Sequence, residues 1–187
     1  QNPHFVYLAY FAPNVIKVGI SQEERGIRRL LEQGARLAIK LETFSSALIA
    51  RQYEAKISKL DGIVETLPVY KKLELIKQPF DRATGERELR QKLLEIEQKI
   101  GVSFPKSELI PCEDYFQTAG VDLSRVVLMK DCGQLVGRVR SVIGSIVITD
   151  YDGQLLAYNI KKLIGYRAQK VDGEIELDLP TEQLTLF

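Results

Sequence analysis

The sequence predicts an α+β protein in three parts: an N-terminal β-β-α-β-α module, a helical connector and a small antiparallel β-barrel. Three observations carry this. Through the first sixty residues, apolar side chains alternate in short aromatic and β-branched runs, broken by two stretches at helical spacing. A twenty-residue amphipathic stretch occupies 81–100. From about residue 107 the texture changes to short strands with glycine-containing turns. The boundaries that follow are 1–67 for the module, 68–106 for the connector, 107–180 for the barrel and 181–187 for a tail.

Each element has its reason. "HFVYLAYF" (4–11) reads as a strand, Pro13-Asn14 as a turn, and "VIKVGIS" (15–21) as the hairpin partner. "EERGIRRLLEQ" (23–33) places Ile27, Leu30 and Leu31 at helical spacing, with Gly34 where a C-cap belongs. "RLAIKLETF" (36–44) alternates again. Ser45 or Ser46 can cap a helix through about Leu60, with Ile49, Tyr53, Ile57 and Leu60 as its buried stripe. Residues 68–80 form a mixed segment between Pro68 and Pro79, and 81–100 a helix buried through Leu89, Leu93, Ile96 and Ile100. Beyond 107, Asp152-Gly153 and Asp172-Gly173 are the hairpin signals.

Composition bounds the function classes. A hydrophobic content of 45% and a charged content of 27% are ordinary for a globular protein. The 26 basic and 25 acidic residues leave +1, so only local clustering could argue for nucleic acid. No apolar run approaches the ~20 residues that cross a bilayer, and there is no signal peptide. Cys112 and Cys132 are too few for a metal knuckle or a disulfide framework and read as free thiols in a reducing cytoplasm. The chain opens on Gln1 rather than Met and reads as a fragment.

The informative constellation is N-terminal. Tyr7 lies mid-strand, Lys17 and Gly19 lie on the next strand, Arg29 lies on the first helix and Glu54 on the second. Glu54 neighbours Ala47, Ala50 and Ile57 at helical spacing, which sets its carboxylate at the edge of the buried face. Taken singly, each has an ordinary structural reading: a core tyrosine, a strand-edge lysine, a surface arginine and a surface glutamate.

"VYL…KVGIS…R…E" in β-β-α-β-α order resembles the GIY-YIG nuclease module, in which a small three-stranded sheet carries two tyrosine motifs, an arginine and a metal-binding glutamate. "PHFVYLAYFAPNVIKVGIS", "LLEQGA" and "GQLVGRVRSVIGSIVITDYDGQLLAYNIKKLIGY" also resemble an uncharacterised family, described only as a domain of unknown function, that carries such a module. Its members carry cysteine-rich, zinc-binding-type sequence upstream of the point where this chain begins. The resemblance implies phosphodiester hydrolysis. Arg29 would grip the phosphate bidentately, and Glu54 would be the sole protein ligand of a hydrated Mg²⁺ or Mn²⁺. Tyr7 would hold or deprotonate the attacking water, helped by Lys17. The chain departs from the pattern in three places. "VYL" stands for "GIY", Lys17 replaces the second tyrosine, and there is no asparagine after Glu54, Thr66 being the nearest polar residue. These departures keep a non-catalytic DNA- or RNA-binding or protein-interaction module open beside a DNA endonuclease acting in repair or replication. His4, next to the chain start, reads as incidental.

Further cations are candidates for nucleic-acid contact: Arg25 and Arg28 beside Arg29, and Arg138 and Arg140, expected on one side of a barrel strand. Lys161, Lys162 and Arg167, with Tyr151, Tyr158 and Tyr166, would make a basic surface with stacking platforms, against the plainer reading of a solvated strand face. Finally, "QLTLF" resembles the peptide by which bacterial replication and repair proteins hold the sliding clamp. Gln183 would make directional hydrogen bonds while Leu184, Leu186 and Phe187 enter an apolar pocket. The alternative is a last strand packed on the barrel.

Overall fold

The computed structural model describes residues 2–129 and 133–171. It is an α+β fold with two sheets. The first is mixed and five-stranded: β1 (His4–Ala12), β2 (Val15–Gln22), β3 (Leu37–Phe44), β4 (Ile63–Val64) and β5 (Glu108–Ile110), in the order β4-β2-β1-β3-β5. Only β4 runs parallel to its neighbour, β2. The second sheet holds β6 (Val127–Leu128), β7 (Arg138–Ile143), β8 (Ile146–Tyr151) and β9 (Gln154–Asn159), in the order β6-β9-β8-β7.

β1 lies at the centre of the first sheet, and Phe5 through Ala12 are all buried. A strand covered on both faces has no polar register, which explains why "FVYLAYFA" carries no charge. One face presents Val6, Leu8, Tyr10, Ile16, Val18, Ile39 and Leu41. Against it pack α2 (Ala47–Ile57), through Ala50 and Ile57, and α4 (Arg82–Ile100), through Leu89, Leu93 and Ile96. The other face presents Phe5, Tyr7, Ala9 and Phe11. It is covered by Leu30 of α1 (Gly26–Gln33), by Leu73 and Ile76 of α3 (Val69–Ile76), and by Ile143, Ile146, Ile148 and Ala157 of the second sheet. A single apolar cluster therefore joins the two sheets.

Helix ends follow local chemistry. The Ser46 hydroxyl accepts from the Ile49 amide at the start of α2, and the Asp81 carboxylate accepts from Thr84 at the start of α4. Gly34 ends α1 in the left-handed region, as its C-cap position predicts. Residues Glu23–Arg25 form a separate 3-10 turn before α1. Asp152 and Gly153 both have positive φ, giving the tight hairpin between β8 and β9, while Asp172-Gly173 lies outside the described residues.

Four expectations are corrected. The second sheet is mixed, because β6 runs parallel to β9, and it is not closed into a barrel: its apolar face is covered by the first sheet's cluster instead. The segment 68–80 contains a true helix, α3. Ile49 is exposed at the first turn of α2, where the helix has not yet come down on the sheet. A bulge between Val139 and Ser141 interrupts the alternation on which Arg138 and Arg140 were expected to share a side. No helix among the described residues is long and apolar enough to cross a membrane.

Candidate functional site

The pairing of β1 with β2 sets Tyr7 opposite Gly19 and Ala9 opposite Lys17. Directly opposed residues share a face, so Tyr7, Lys17 and Gly19 all point toward α1. The Tyr7 ring lies across Gly19. A Cβ built there would fall 2.5 Å from both Cζ and Oη of the tyrosine, so glycine is the residue that admits the ring. The ring runs on toward Arg29 of α1, whose guanidinium charge acts on the phenol.

Charge interactions tie Lys17, Arg29 and Glu54 to one another, and Arg29 and Glu54 also act on Tyr7. Lys17 Nζ donates to the carbonyl of Val18, at 3.0 Å, and to that of Glu65 just beyond β4. Burial lowers the proton affinity of Lys17 despite the opposing pull of Glu54. Burial raises the Glu54 carboxyl above the usual range, while Lys17, Arg51 and Arg29 draw it back and Glu65 adds to the rise. Charge thus links the four residues named from the sequence as catalytic, although α1 and α2, which carry Arg29 and Glu54, pack on opposite faces of the sheet.

Tyr7 is the exception to easy chemistry. It is fully buried, packs at a tilt against Phe5 with centroids 5.9 Å apart, and its hydroxyl finds no hydrogen-bond partner. Burial raises its pKa, with Arg29 opposing. A sealed phenol that holds its proton more tightly is a poor base for an external water. Arg29 Nε is likewise buried without a hydrogen-bond partner, although the guanidinium reaches Glu32 at 4.0 Å through Nη1. An orphaned arginine N–H is costly in a core and ordinary where a ligand completes the bonding.

The other sequence candidates scatter. Arg25 pairs with Glu32 at 2.5 Å, and Arg28 is exposed on the same helix. Arg140 stands 3.9 Å from Asp150, and Arg138 is exposed at the start of the same strand. Arg140 lines a hollow of about 840 Å³ that also holds Asp122, Arg125, Asp150 and Asp152, a mixed-charge surface rather than a basic one. A second hollow, of about 970 Å³, is lined by Tyr151, Lys162, Tyr166 and Arg167. Neither is lined by Tyr7, Lys17, Arg29 or Glu54. The His4 ring donates to the Asn2 carbonyl, and Thr66 is exposed. Cys112 is free, buried and pushed up to about 12 by burial; Cys132 lies outside the described residues. So does the whole tail, with Gln183, Leu184, Leu186 and Phe187.

Sequence reading missed Lys72. From α3 its Nζ donates to the Gln33 carbonyl at the end of α1, at 2.6 Å, and lies 5.1 Å from the centre of the Phe11 ring. Nothing in "VYKKLELI" distinguishes it from Lys71, which pairs with Glu74 in solvent. Its position became visible only once α3 was seen to cover the sheet.

As to metal, no group of three or more His, Cys, Asp or Glu side chains among the described residues could enclose an ion. Glu54 with Glu65 nearby offers at most an open carboxylate edge. That suits a Mg²⁺ that keeps its waters and takes further oxygens from a phosphate, and does not suit a dedicated protein cage.

A family model described as Protein of unknown function (DUF2797) matches residues 1–168. No curated protein and no solved structure matches the chain.

Proposed function

The chain belongs to the family described as Protein of unknown function (DUF2797), and for this member we propose binding of nucleic acid, with backbone phosphates of DNA held by Arg29 and Lys17 beside Glu54, without turnover. What supports the reading is the mutual charge interaction of Lys17, Arg29 and Glu54, which come from three elements, together with the buried Arg29 Nε that has no hydrogen-bond partner. A guanidinium with a free N–H is the group that takes a phosphate oxygen in the plane of its fork. Two features weigh against turnover. Tyr7 is sealed and its phenol is harder to ionise, and the cation of Lys17 stands where the GIY-YIG pattern has its second tyrosine.

The test is incubation with nicked, branched and flapped DNA in the presence of Mg²⁺ or Mn²⁺. The reading expects binding that weakens at least ~10-fold between ~50 and ~200 mM salt, with the DNA left intact. Binding indifferent to salt overturns it.

A second reading is metal-dependent phosphodiester hydrolysis, favoured by the placement of Glu54 next to the same arginine. Glu54 would hold Mg²⁺ or Mn²⁺, which when bound supplies positive charge to a leaving oxygen. Arg29 would grip the phosphate, and Tyr7 would position Arg29. Cleavage of any of these DNAs, lost in Glu54→Ala and Arg29→Ala, selects this reading over the first. A role in repair or replication adds the clamp-type peptide. Residues 178–187 titrated against a bacterial sliding clamp should bind in the micromolar range, and no detectable binding removes that partner.

A further inference from the structure

Lys72 has no place in the phosphate site described above, yet burial and neighbouring cations lower its proton affinity. It comes from α3, while the groups around it come from four other places. The Gln33 carbonyl closes α1, Phe11 lies on β1, Lys17 lies on β2, and Arg29 lies mid-way along α1. The fifth neighbour, Lys161, sits in the short turn Ile160–Leu163 that follows β9 of the second sheet. The charged groups that act on Lys72 are all cations. Those acting on Lys17 and Glu54 are mixed. Geometry links the two ends of this group: Lys72 Nζ donates to the Gln33 carbonyl, the adjacent Gly34 abuts Gly144 in the β7–β8 turn, and the amide of Ile160, beside Lys161, donates to the Ser145 carbonyl at 3.0 Å.

No carboxylate is among the groups that act on Lys72, and like charges so gathered repel unless an anion joins them. These cations come from both parts of the fold, Lys17 from β2 of the first sheet and Lys161 from the turn after β9 of the second. Among these cations the Arg29 Nε has no hydrogen-bond partner.

Resting on the phosphate reading of Arg29 and Lys17, we infer that Lys72 and Lys161 hold the next phosphate along the same strand, so that the ligand is a polynucleotide strand laid across both sheets. Lys72 is a binding residue here, and Lys161 a contact that only the second sheet can supply.

The charge state of Lys72 gives the experiment its handle. Burial first, then Lys17, Lys161 and Arg29, bring it down to about 8. Near that pH the free protein holds Lys72 partly neutral, and a bound phosphate draws the proton on. The experiment is calorimetric titration of the whole chain with a flapped DNA duplex at pH 8.5, in two buffers of different ionisation enthalpy. Wild type should take up a substantial fraction of a proton on binding. Lys72→Met should bind roughly fivefold to tenfold more weakly and lose most of the uptake. Lys72→Arg, which stays charged, should bind well without the uptake, and this guards against a mere folding defect in the methionine variant. Lys161→Ala should weaken binding about two- to threefold, while Arg29→Ala weakens binding and keeps the uptake. Wild-type affinity and uptake in Lys72→Met overturn the inference and leave the Arg29 site standing. Failure of the wild type to bind, or an Arg29→Ala variant that binds equally well, overturns the phosphate reading itself and the inference with it.

Discussion

At the scale of single residues, the site is built on one steric fit. Gly19 admits the Tyr7 ring, and the ring reaches Arg29. Gly19→Ala should therefore cost about 1–3 kcal/mol by overpacking, read by urea denaturation; unchanged stability would mean that the ring does not lie across β2. The Tyr7 hydroxyl has no hydrogen-bond partner, so Tyr7→Phe should hold or raise stability, with a loss above about 1 kcal/mol counting against an orphaned phenol. Lys72 supplies a pH prediction. Its folded value of about 8 lies below the ordinary 10.5, so between those limits the unfolded chain binds more protons than the native one. Stability relative to Lys72→Met should rise as pH goes from 8 to 10, and a flat or falling difference would contradict the burial described. Tyr7, Lys17, Arg29 and Glu54 could be named together from the sequence because their order along the chain resembles a known pattern. That Tyr7 is sealed was not, because a strand with apolar residues on both faces does not say which face is covered more deeply. Lys72 was not legible at all: its meaning is its surroundings.

At the scale of elements, propensity and capping explain most of the agreement. β1, β2, β3, α2 and α4 follow from alternation, helical spacing and the Ser46 and Asp81 caps. α3 escaped because it has no side-chain cap at its start, and its closing turn depends on a distant residue. The buried Arg36 guanidinium donates to the carbonyls of Ile76 and Gln78, at 2.8 and 2.9 Å, and stacks over Phe80 at 5.0 Å. A helix end completed from another element leaves no local mark in sequence. The barrel expectation failed for a related reason: short strands with turns are compatible with a closed sheet or with an open one covered from outside. The contact that decides it is the β7–β8 turn, where Gly144 at φ +61 abuts the end of α1. A Cβ there would lie 2.9 Å from the Glu32 carbonyl oxygen and the Gly34 nitrogen. Gly144→Ala should cost about 1–3 kcal/mol from left-handed backbone strain and crowding. A thermal midpoint equal to wild type would show that the turn does not dock there.

At the scale of the whole molecule, one apolar cluster is shared by both sheets, from Phe5, Tyr7 and Leu30 to Ile143, Ile148 and Ala157. The two sheets should therefore unfold together, with calorimetric and van't Hoff enthalpies in agreement; two resolved transitions would separate them. Joined sheets also let Lys161 after β9 act on Lys72, as Arg29 and Lys17 do. The central claim is that Arg29 contacts a phosphate. Its most direct measurement is the salt dependence of flapped-DNA binding for wild type and Arg29→Ala, followed by fluorescence anisotropy. Loss of one phosphate contact should lower the magnitude of the slope of log K against log salt by about one, with affinity weakened across all DNA sequences. Parallel slopes with equal affinities would contradict the account.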